Sequence, residues 1–313
     1  MKKLRVALLC GGLSNEREIS LKSGEEVKKA LDPGRYEIQV YDLREGLAPL
    51  VADASKIDVA LIILHGRYGE DGTVQGLLEL LKIPYQGSGV LGSALAMNKI
   101  LSKAIYRLEG LPVARDRTVR KGEALDWEEV SEELGTPVVV KPNQEGSSIG
   151  VRFAHNIDEL KTFVTEAFRL DQELILEEYI KGREITGAVL GNDPPQALPL
   201  VEIIPSEDYE FFDYEAKYKE KATREVCPAP LSETVTAKAQ EYALRAHKAL
   251  KLKGYSRTDM IVKGEEVYVL ETNTIPGMTR TSLFPLAAKA AGLEFGALLD
   301  RLIELALEDK KIF

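Results

Sequence analysis

The amino-acid sequence predicts an α/β fold that opens with a parallel α/β unit and passes into a region of α+β character with antiparallel strands. Three observations predict it. From Arg5 to Lys82, short apolar runs alternate with amphipathic segments, the pattern of a parallel sheet wrapped by helices. Beyond Pro137, several strand-like runs are joined by short turns rather than by long crossovers. The 313 residues exceed the size at which one hydrophobic core usually keeps growing, so more than one domain is expected.

Taken in order, strands are expected at Arg5 to Cys10, Tyr36 to Tyr41 and Val59 to Leu64, with helices at Ile19 to Leu31 and Thr73 to Lys82 between and after them. The second helix carries Leu77, Leu78, Leu80 and Leu81 as its apolar stripe. A helical stretch from Ala96 to Glu109 opens the next region, followed by strands at Pro137 to Lys141 and Ile149 to Phe153, a helix at Ile157 to Phe168 and a strand at Leu174 to Ile180. Further strands are expected at Ile185 to Leu190 and Leu198 to Ile204. The stretch Pro205 to Ala222 is polar and aromatic without a clear period, and loops this long in a compact domain are usually functional lids or disordered segments. A helix capped by Ser232 follows, since Val235, Ala239, Ala243, Ala246 and Leu250 recur at three- and four-residue spacing. Two strands, Arg257 to Val262 and Glu266 to Glu271, flank Gly264, and two helices close the chain.

Composition excludes several classes. Apolar residues at 44% and charged residues at 29% describe a globular protein rather than a disordered or fibrous one. A net charge of -9, with 41 scattered Lys and Arg against 50 Asp and Glu, argues against a nucleic-acid partner. Cys10 and Cys227 stand far apart, giving neither a disulfide framework nor a metal-ligand spacing, which fits a cytoplasmic setting. No stretch reaches the ~20 apolar residues of a membrane-spanning helix, and the short run Val6 to Cys10 reads as a buried strand rather than a signal peptide. Neither a membrane partner nor export is expected.

The hairpin around Gly264 carries the sharpest local signal. With strand period two, Arg257, Asp259, Glu271 and Asn273 share one face if the register allows it. A three-residue turn pairing Val262 with Glu266 would set odd positions opposite odd positions; a two-residue turn would separate the two sets. Converged oxygens of Asp259, Glu271 and Asn273 suit a hard cation such as Mg²⁺ beside a phosphate-bearing substrate. A solvated strand face is the lesser reading, because Glu271 to Asn273 leads straight into the loop Thr274 to Met278, a strand end suited to a ligand.

Lys141 to Gly150 is a Gly- and Ser-rich loop after an apolar strand, able to close over phosphates with its N–H groups while Lys141 adds positive charge. It lacks the Gly-Lys-Ser/Thr ending of a Walker A loop, and on its own it serves equally as a hairpin turn. Gly87 to Gly92 matches the dinucleotide fingerprint, but it comes late in the α/β unit and Glu109 only loosely meets the expected acid, so a structural turn is favoured. Gly11 to Glu18 and His65 to Gly72 follow the first and third strands, where open α/β sheets present ligand loops. Glu16 would attract an ammonium group, although as an isolated acid its ordinary role is charge complementarity at a helix N-terminus. His155 and His247 have no partnering motif and read as ordinary surface or core residues.

The ordered segments Gly11 to Ser20, His65 to Gly72, Lys141 to Gly150, Phe212 to Tyr218, Arg257 to Asp259 and Glu271 to Leu283 resemble the D-alanine:D-alanine ligases of the ATP-grasp superfamily, and the resemblance extends over essentially the whole chain. It implies a three-domain ATP-grasp fold: an N-terminal α/β domain over 1–96, a central domain over 97–182, and a C-terminal domain over 183–313 with a lid loop at 205–222. It further implies ATP-dependent ligation of two D-alanine molecules through an acyl phosphate for peptidoglycan precursor synthesis, two Mg²⁺ ions for which Mn²⁺ is an acceptable substitute, and a homodimer.

Residue by residue, the resemblance implies that Lys99 and Lys141 hold ATP phosphates, Glu177 and Glu184 meet adenine and ribose, and Lys217 contacts the nucleotide. Asp259, Glu271 and Asn273 match the magnesium ligands. Glu16 matches the carboxylate that receives the first substrate's ammonium group, with Ser147 and Tyr218 as its hydrogen-bonding partners. Arg257 and the Gly277 N–H match the oxyanion donors, Ser282 and Leu283 the site for the second substrate's carboxylate, and His65 a neighbour of that substrate. Tyr218 implies D-alanine rather than D-lactate as acceptor. Asn98 before Lys99 and Arg280 within the last loop depart from the commonest pattern. The rival readings are an ATP-grasp ligase with another acceptor, a dinucleotide-dependent oxidoreductase built on Gly87 to Gly92, and a non-catalytic binding protein.

Overall fold

The computed structural model describes residues 2–205 and 223–308. Its first sheet is parallel, in the order β2 (Tyr36–Tyr41), β1 (Leu4–Leu9), β3 (Val59–Ile62), with Leu4 opposite Tyr36 and Val6 opposite Val59. All four residues of β3 are buried, as a strand covered on both faces requires. Alternate residues of β1 serve different cores. Val6 and Leu8 pack toward helix α1 (Arg17–Ala30) and the C-terminal helices, while Ala7 and Leu9 face Val74 and Leu78 of helix α3 (Thr73–Leu80). A short helix α2 (Ala48–Asp53) precedes β3.

The helical stretch expected over Ala96 to Glu109 is two helices, α4 (Val90–Met97) and α5 (Lys99–Leu108). Asn98 divides them. Its extended backbone ends α4, and its side chain caps α5 by accepting from the Leu101 N–H at 2.9 Å. The glycines of the fingerprint-like segment have packing duties: Gly87 sits at φ +91°, and a Cβ on Gly92 would lie 3.0 Å from the Lys251 carbonyl oxygen.

A four-stranded antiparallel sheet follows, in the order β4 (Asp116–Arg120), β7 (Glu173–Glu178), β5 (Val138–Pro142), β6 (Arg152–Ala154). Helices α6 (Trp127–Leu134) and α7 (Ile157–Ala167) cover it. The strand expected at Ile149 to Phe153 is confined to β6. Ser147, Ser148 and Gly150 all take positive φ, so the chain there turns instead of extending, with the Ile149 N–H bonded to the Gly146 carbonyl.

The third sheet runs β11 (Thr223–Val226), β10 (Val201–Pro205), β8 (Arg183–Leu190), β12 (Tyr255–Lys263), β13 (Glu266–Asn273), with the short β9 (Gln196–Ala197) beside β8. The strand expected at Leu198 to Ile204 thus begins only at Val201. Helix α8 (Glu233–Ala249) packs across this sheet and is capped by Ser232, whose hydroxyl accepts from the Val235 N–H. Helices α9 (Leu283–Ala290) and α10 (Phe295–Glu308) return to the first sheet, where Phe284, Leu298 and Leu302 bury beside Val6, Leu8 and Leu61.

The expected turn at Gly264 is corrected. Lys263 pairs with Glu266, leaving Gly264 and Glu265 as a two-residue turn with Gly264 at φ +63°. Alone, that register would split the odd positions. A β-bulge at Leu270 shifts it back, so Asp259 lies opposite Glu271 and Arg257 opposite Asn273. The convergence holds, and the bulge rather than the turn produces it.

Candidate active site

A cleft of about 360 Å³ opens between the four-stranded and third sheets. Val139, Phe153, Ile180, Ile203, Ile261 and Leu270 make its apolar walls, while Lys99, Lys141, Glu177, Glu184, Asp259 and Glu271 bring charge to it. The bulge explains why Leu270 and Glu271, adjacent in sequence, both line it. A slot with apolar walls that also presents Lys99 and Lys141 fits a purine carrying a polyphosphate.

On the hairpin, Arg257 donates to both oxygens of Asp259, at 2.9 and 2.8 Å, and the Asn273 amide donates to Asp259 at 3.1 Å. Glu271 lies 3.4 Å from the Lys99 ammonium, which also donates to the Glu145 carbonyl at 2.6 Å. Among the described residues no three His, Cys, Asp or Glu side chains gather into a metal-binding array. The donor set here is two carboxylates and one amide on one strand face, hard oxygen ligands that fit Mg²⁺ together with phosphate oxygens. Behind the hairpin, Thr272 is held by the hydroxyls of Tyr106 at 2.8 Å and Thr258 at 3.0 Å, which fixes β13 against β12 and α5.

Lys141 lies 2.6 Å from Glu177, whose other oxygen is 2.5 Å from Lys103. Burial pushes the Glu177 carboxyl up, but Lys141 and Lys103 outweigh it and hold it at about 2. Only 5% exposed, Glu177 lines the cleft while each of its oxygens lies beside one of these lysines. Glu184, at the start of β8 opposite Ile203, lines the same cleft.

Glu16 stands at the N-cap position of α1, yet its side chain makes no capping bond. It is 5% exposed and accepts from the Ser147 hydroxyl. A Cβ on Gly66 or on Gly146 would lie 2.8 Å from its Oε2, so both loops close on it only because they carry glycine there. Glu16 thus stands at a helix N-terminus, as expected of an isolated acid, and is also approached by two further loops. Arg17 and Asp42 tie the first loop down: Asp42 accepts from Arg17 at 2.8 Å and from the Gly12 N–H at 3.0 Å, and Arg17 holds its carboxyl at about 2.

His65 is buried, which lowers its imidazole to about 4, and its Nε2 has no hydrogen-bond partner among the described residues. Glu70, which sequence reasoning did not single out within its loop, accepts from the Gly66 N–H at 2.7 Å; burial, with Glu16 nearby, raises its carboxyl to about 8. Ser282 sits at the N-cap position of α9 and Leu283 is the first residue of that helix. The Ser282 hydroxyl accepts from the Thr279 N–H at 3.1 Å, close to Gly277. Lys217, Tyr218 and the expected lid loop 205–222, apart from Pro205, lie outside the described residues. His155 is exposed, while His247 is buried with Nδ1 2.7 Å from the Ser256 hydroxyl, the ordinary roles expected of them.

Comparison with known proteins covers nearly the whole chain. A family model described as D-ala D-ala ligase C-terminus matches residues 105–304, and one described as D-ala D-ala ligase N-terminus matches residues 49–88. A D-alanine--D-alanine ligase of Syntrophobacter fumaroxidans is 64% identical over 308 residues, covering 98% of this chain and 99% of the relative. One from Desulfotalea psychrophila is 53% identical over 313 residues, covering 99% and 97%. The crystal structure of D-alanine--D-alanine ligase from Bacillus anthracis complexed with ATP aligns at a TM-score of 0.87 and 39% identity, with 99% of each chain covered. Similarity of this extent, in sequence and in backbone, means that the chain belongs to the D-alanine--D-alanine ligase family and has its ATP-grasp fold.

Proposed function

We propose that this protein joins two D-alanine molecules into D-alanyl-D-alanine at the expense of ATP, the dipeptide serving peptidoglycan precursor synthesis. The observation that carries the reading is the pairing of Arg257 with Asn273 and of Asp259 with Glu271 on one hairpin, whose Asp259 and Glu271 line a cleft that also presents Lys99 and Lys141. Adenine takes the apolar part of the slot, with Glu184 near the ribose. Lys99 and Lys141 meet the phosphates, and Lys217 adds to the nucleotide contacts. Asp259, Glu271 and Asn273 would hold Mg²⁺, or Mn²⁺ in its place, which when bound offsets charge on the phosphates during phosphoryl transfer.

In this reading the first D-alanine is held through its ammonium group by Glu16, oriented by Ser147 and Tyr218. Its carboxylate attacks the γ-phosphorus of ATP and releases ADP. The amine of the second D-alanine, seated with its carboxylate at Ser282 and Leu283 beside His65, attacks the resulting acyl phosphate. Arg257 and the Gly277 N–H stabilise the oxyanion of the tetrahedral species, which collapses to dipeptide and phosphate. Most of the rate enhancement is positioning and electrostatics. The division into 1–96, 97–182 and 183–313, and a homodimer in solution, belong to the same reading.

The test is ADP release measured with ATP and Mg²⁺, with and without D-alanine, and product analysis with D-lactate in competition. Release that depends on D-alanine and on Mg²⁺, with dipeptide as the main product, is expected. ADP formation indifferent to D-alanine would refute the ligase, and depsipeptide dominating at neutral pH would refute the acceptor assignment.

A further inference from the structure

Lys141 is one end of a chain of buried charge. The carboxylate beside it, Glu177, is shared with Lys103, and Lys103 is 2% exposed and absent from the cleft lining. Lys103 follows Lys99 by one helical turn on α5, so the two start from the same helix face. Lys99 reaches the cleft, whereas Lys103 reaches back to the four-stranded sheet. There it also lies 3.2 Å from Asp116, which in turn pairs with Arg107. Asp116 and Glu177 are direct partners across β4 and β7, where like charges repel, and Lys103 separates them.

The charge balance is specific. With Lys141 alone, the Glu177 carboxylate would cancel the ammonium that faces the phosphates. With Lys103 on its other oxygen, and Arg107 beside Asp116, the two carboxylates Glu177 and Asp116 stand against three cations, so the cluster keeps one positive charge in excess. Burial lowers the Lys103 ammonium to about 8, and Glu177 works against that shift.

We propose that Lys103 is a positioning residue for ATP: by occupying one oxygen of Glu177 it fixes that carboxylate and leaves Lys141 with charge to offer the phosphates. The inference rests on the reading of Lys141 as a phosphate-binding lysine. A purely structural pair would only fasten α5 to the sheet, and its loss would act whether or not Glu177 were charged.

The experiment is a double-mutant cycle of the parent, Lys103→Met, Glu177→Gln and the double variant, with KM for ATP and for D-alanine, ATP binding by titration, and urea midpoints. Lys103→Met is expected to raise the KM for ATP roughly tenfold while the KM for D-alanine stays within about twofold, as loss of one charge-assisted contact implies. In the Glu177→Gln background the same change should move the KM for ATP by less than about threefold, because the path through Glu177 is already cut. A further loss of about threefold or more there, or equal rises in both KM values for the single variant, overturns the proposal. Should Lys103→Met alone not fold, the comparison of Glu177→Gln with the double variant, which leaves Glu177 neutral, decides the same question. If the parent releases no ADP with D-alanine, the ligase reading fails instead, and ATP titration of the same proteins judges Lys103 separately.

Discussion

Asp259 and Glu271 face each other across the hairpin, each already beside a cation of the protein: Arg257 for the one, Lys99 for the other. A metal ion held by Asp259, as proposed, would compete with Arg257 for the same oxygens. Glu271 is the more accessible of the two acids, its side chain 27% exposed, which separates its chemistry from its packing. Glu271→Gln keeps the shape and removes the charge. It is expected to lower D-alanine-dependent ADP release by about 10²–10³-fold, the range for losing one electrostatic contact at a reacting centre, while the urea midpoint moves by less than about 1 kcal/mol equivalent. Activity within tenfold of the parent would remove Glu271 from the phosphate site.

At the scale of elements, the hairpin β12–β13 shows what was legible and what was not. Alternation in Arg257 to Asp259 and Glu271 to Asn273 made the shared face readable, and the position of Gly264 made the hairpin readable. The bulge was not, because Leu270 is an apolar residue in an apolar strand and nothing local marks it as extra. The same holds for α4 and α5, where apolar period continues through Asn98 and only its capping oxygen separates two helices. Lys103 was hidden too: a lysine on an amphipathic helix is ordinarily solvated, and of its two buried acids Glu177 stands 74 residues away. Inserting one residue between Leu270 and Glu271 is expected to swing Glu271 and Asn273 to the inner face, abolishing ADP release and costing about 3 kcal/mol or more by burying a carboxylate. One glycine inserted after Gly264, where a side chain would meet nothing within 4 Å, should leave both properties nearly unchanged. Equal damage from the two insertions would show that the turn, not the strand pairing, sets the register.

For the whole molecule, the cores divide the labour. The cluster under the four-stranded sheet, with Trp127 packed against it, shares no buried residue with the cluster that joins the first sheet to α9 and α10. Trp127 is the chain's single tryptophan and therefore reports on its own core alone. Phe284→Ala empties a fully buried site in the other cluster and should destabilise it by about 3–5 kcal/mol. Far-UV circular dichroism is then expected to show a lowered urea midpoint for part of the signal, with the Trp127 fluorescence transition much less affected. Identical shifts in both signals would mean that the proposed central unit over 97–182 has no stability of its own.

The return of α9 and α10 to the first sheet has a consequence for how the protein is made. Strands β1 to β3 leave the ribosome well before α9 and α10, which cover their Val6, Leu8 and Leu61 side. Until then that side has only α1 against it, and the rest is apolar surface on a nascent chain. Synthesis at about 5–20 residues per second stretches this interval to tens of seconds, ample time for a chaperone to bind or for two unfinished chains to stick together.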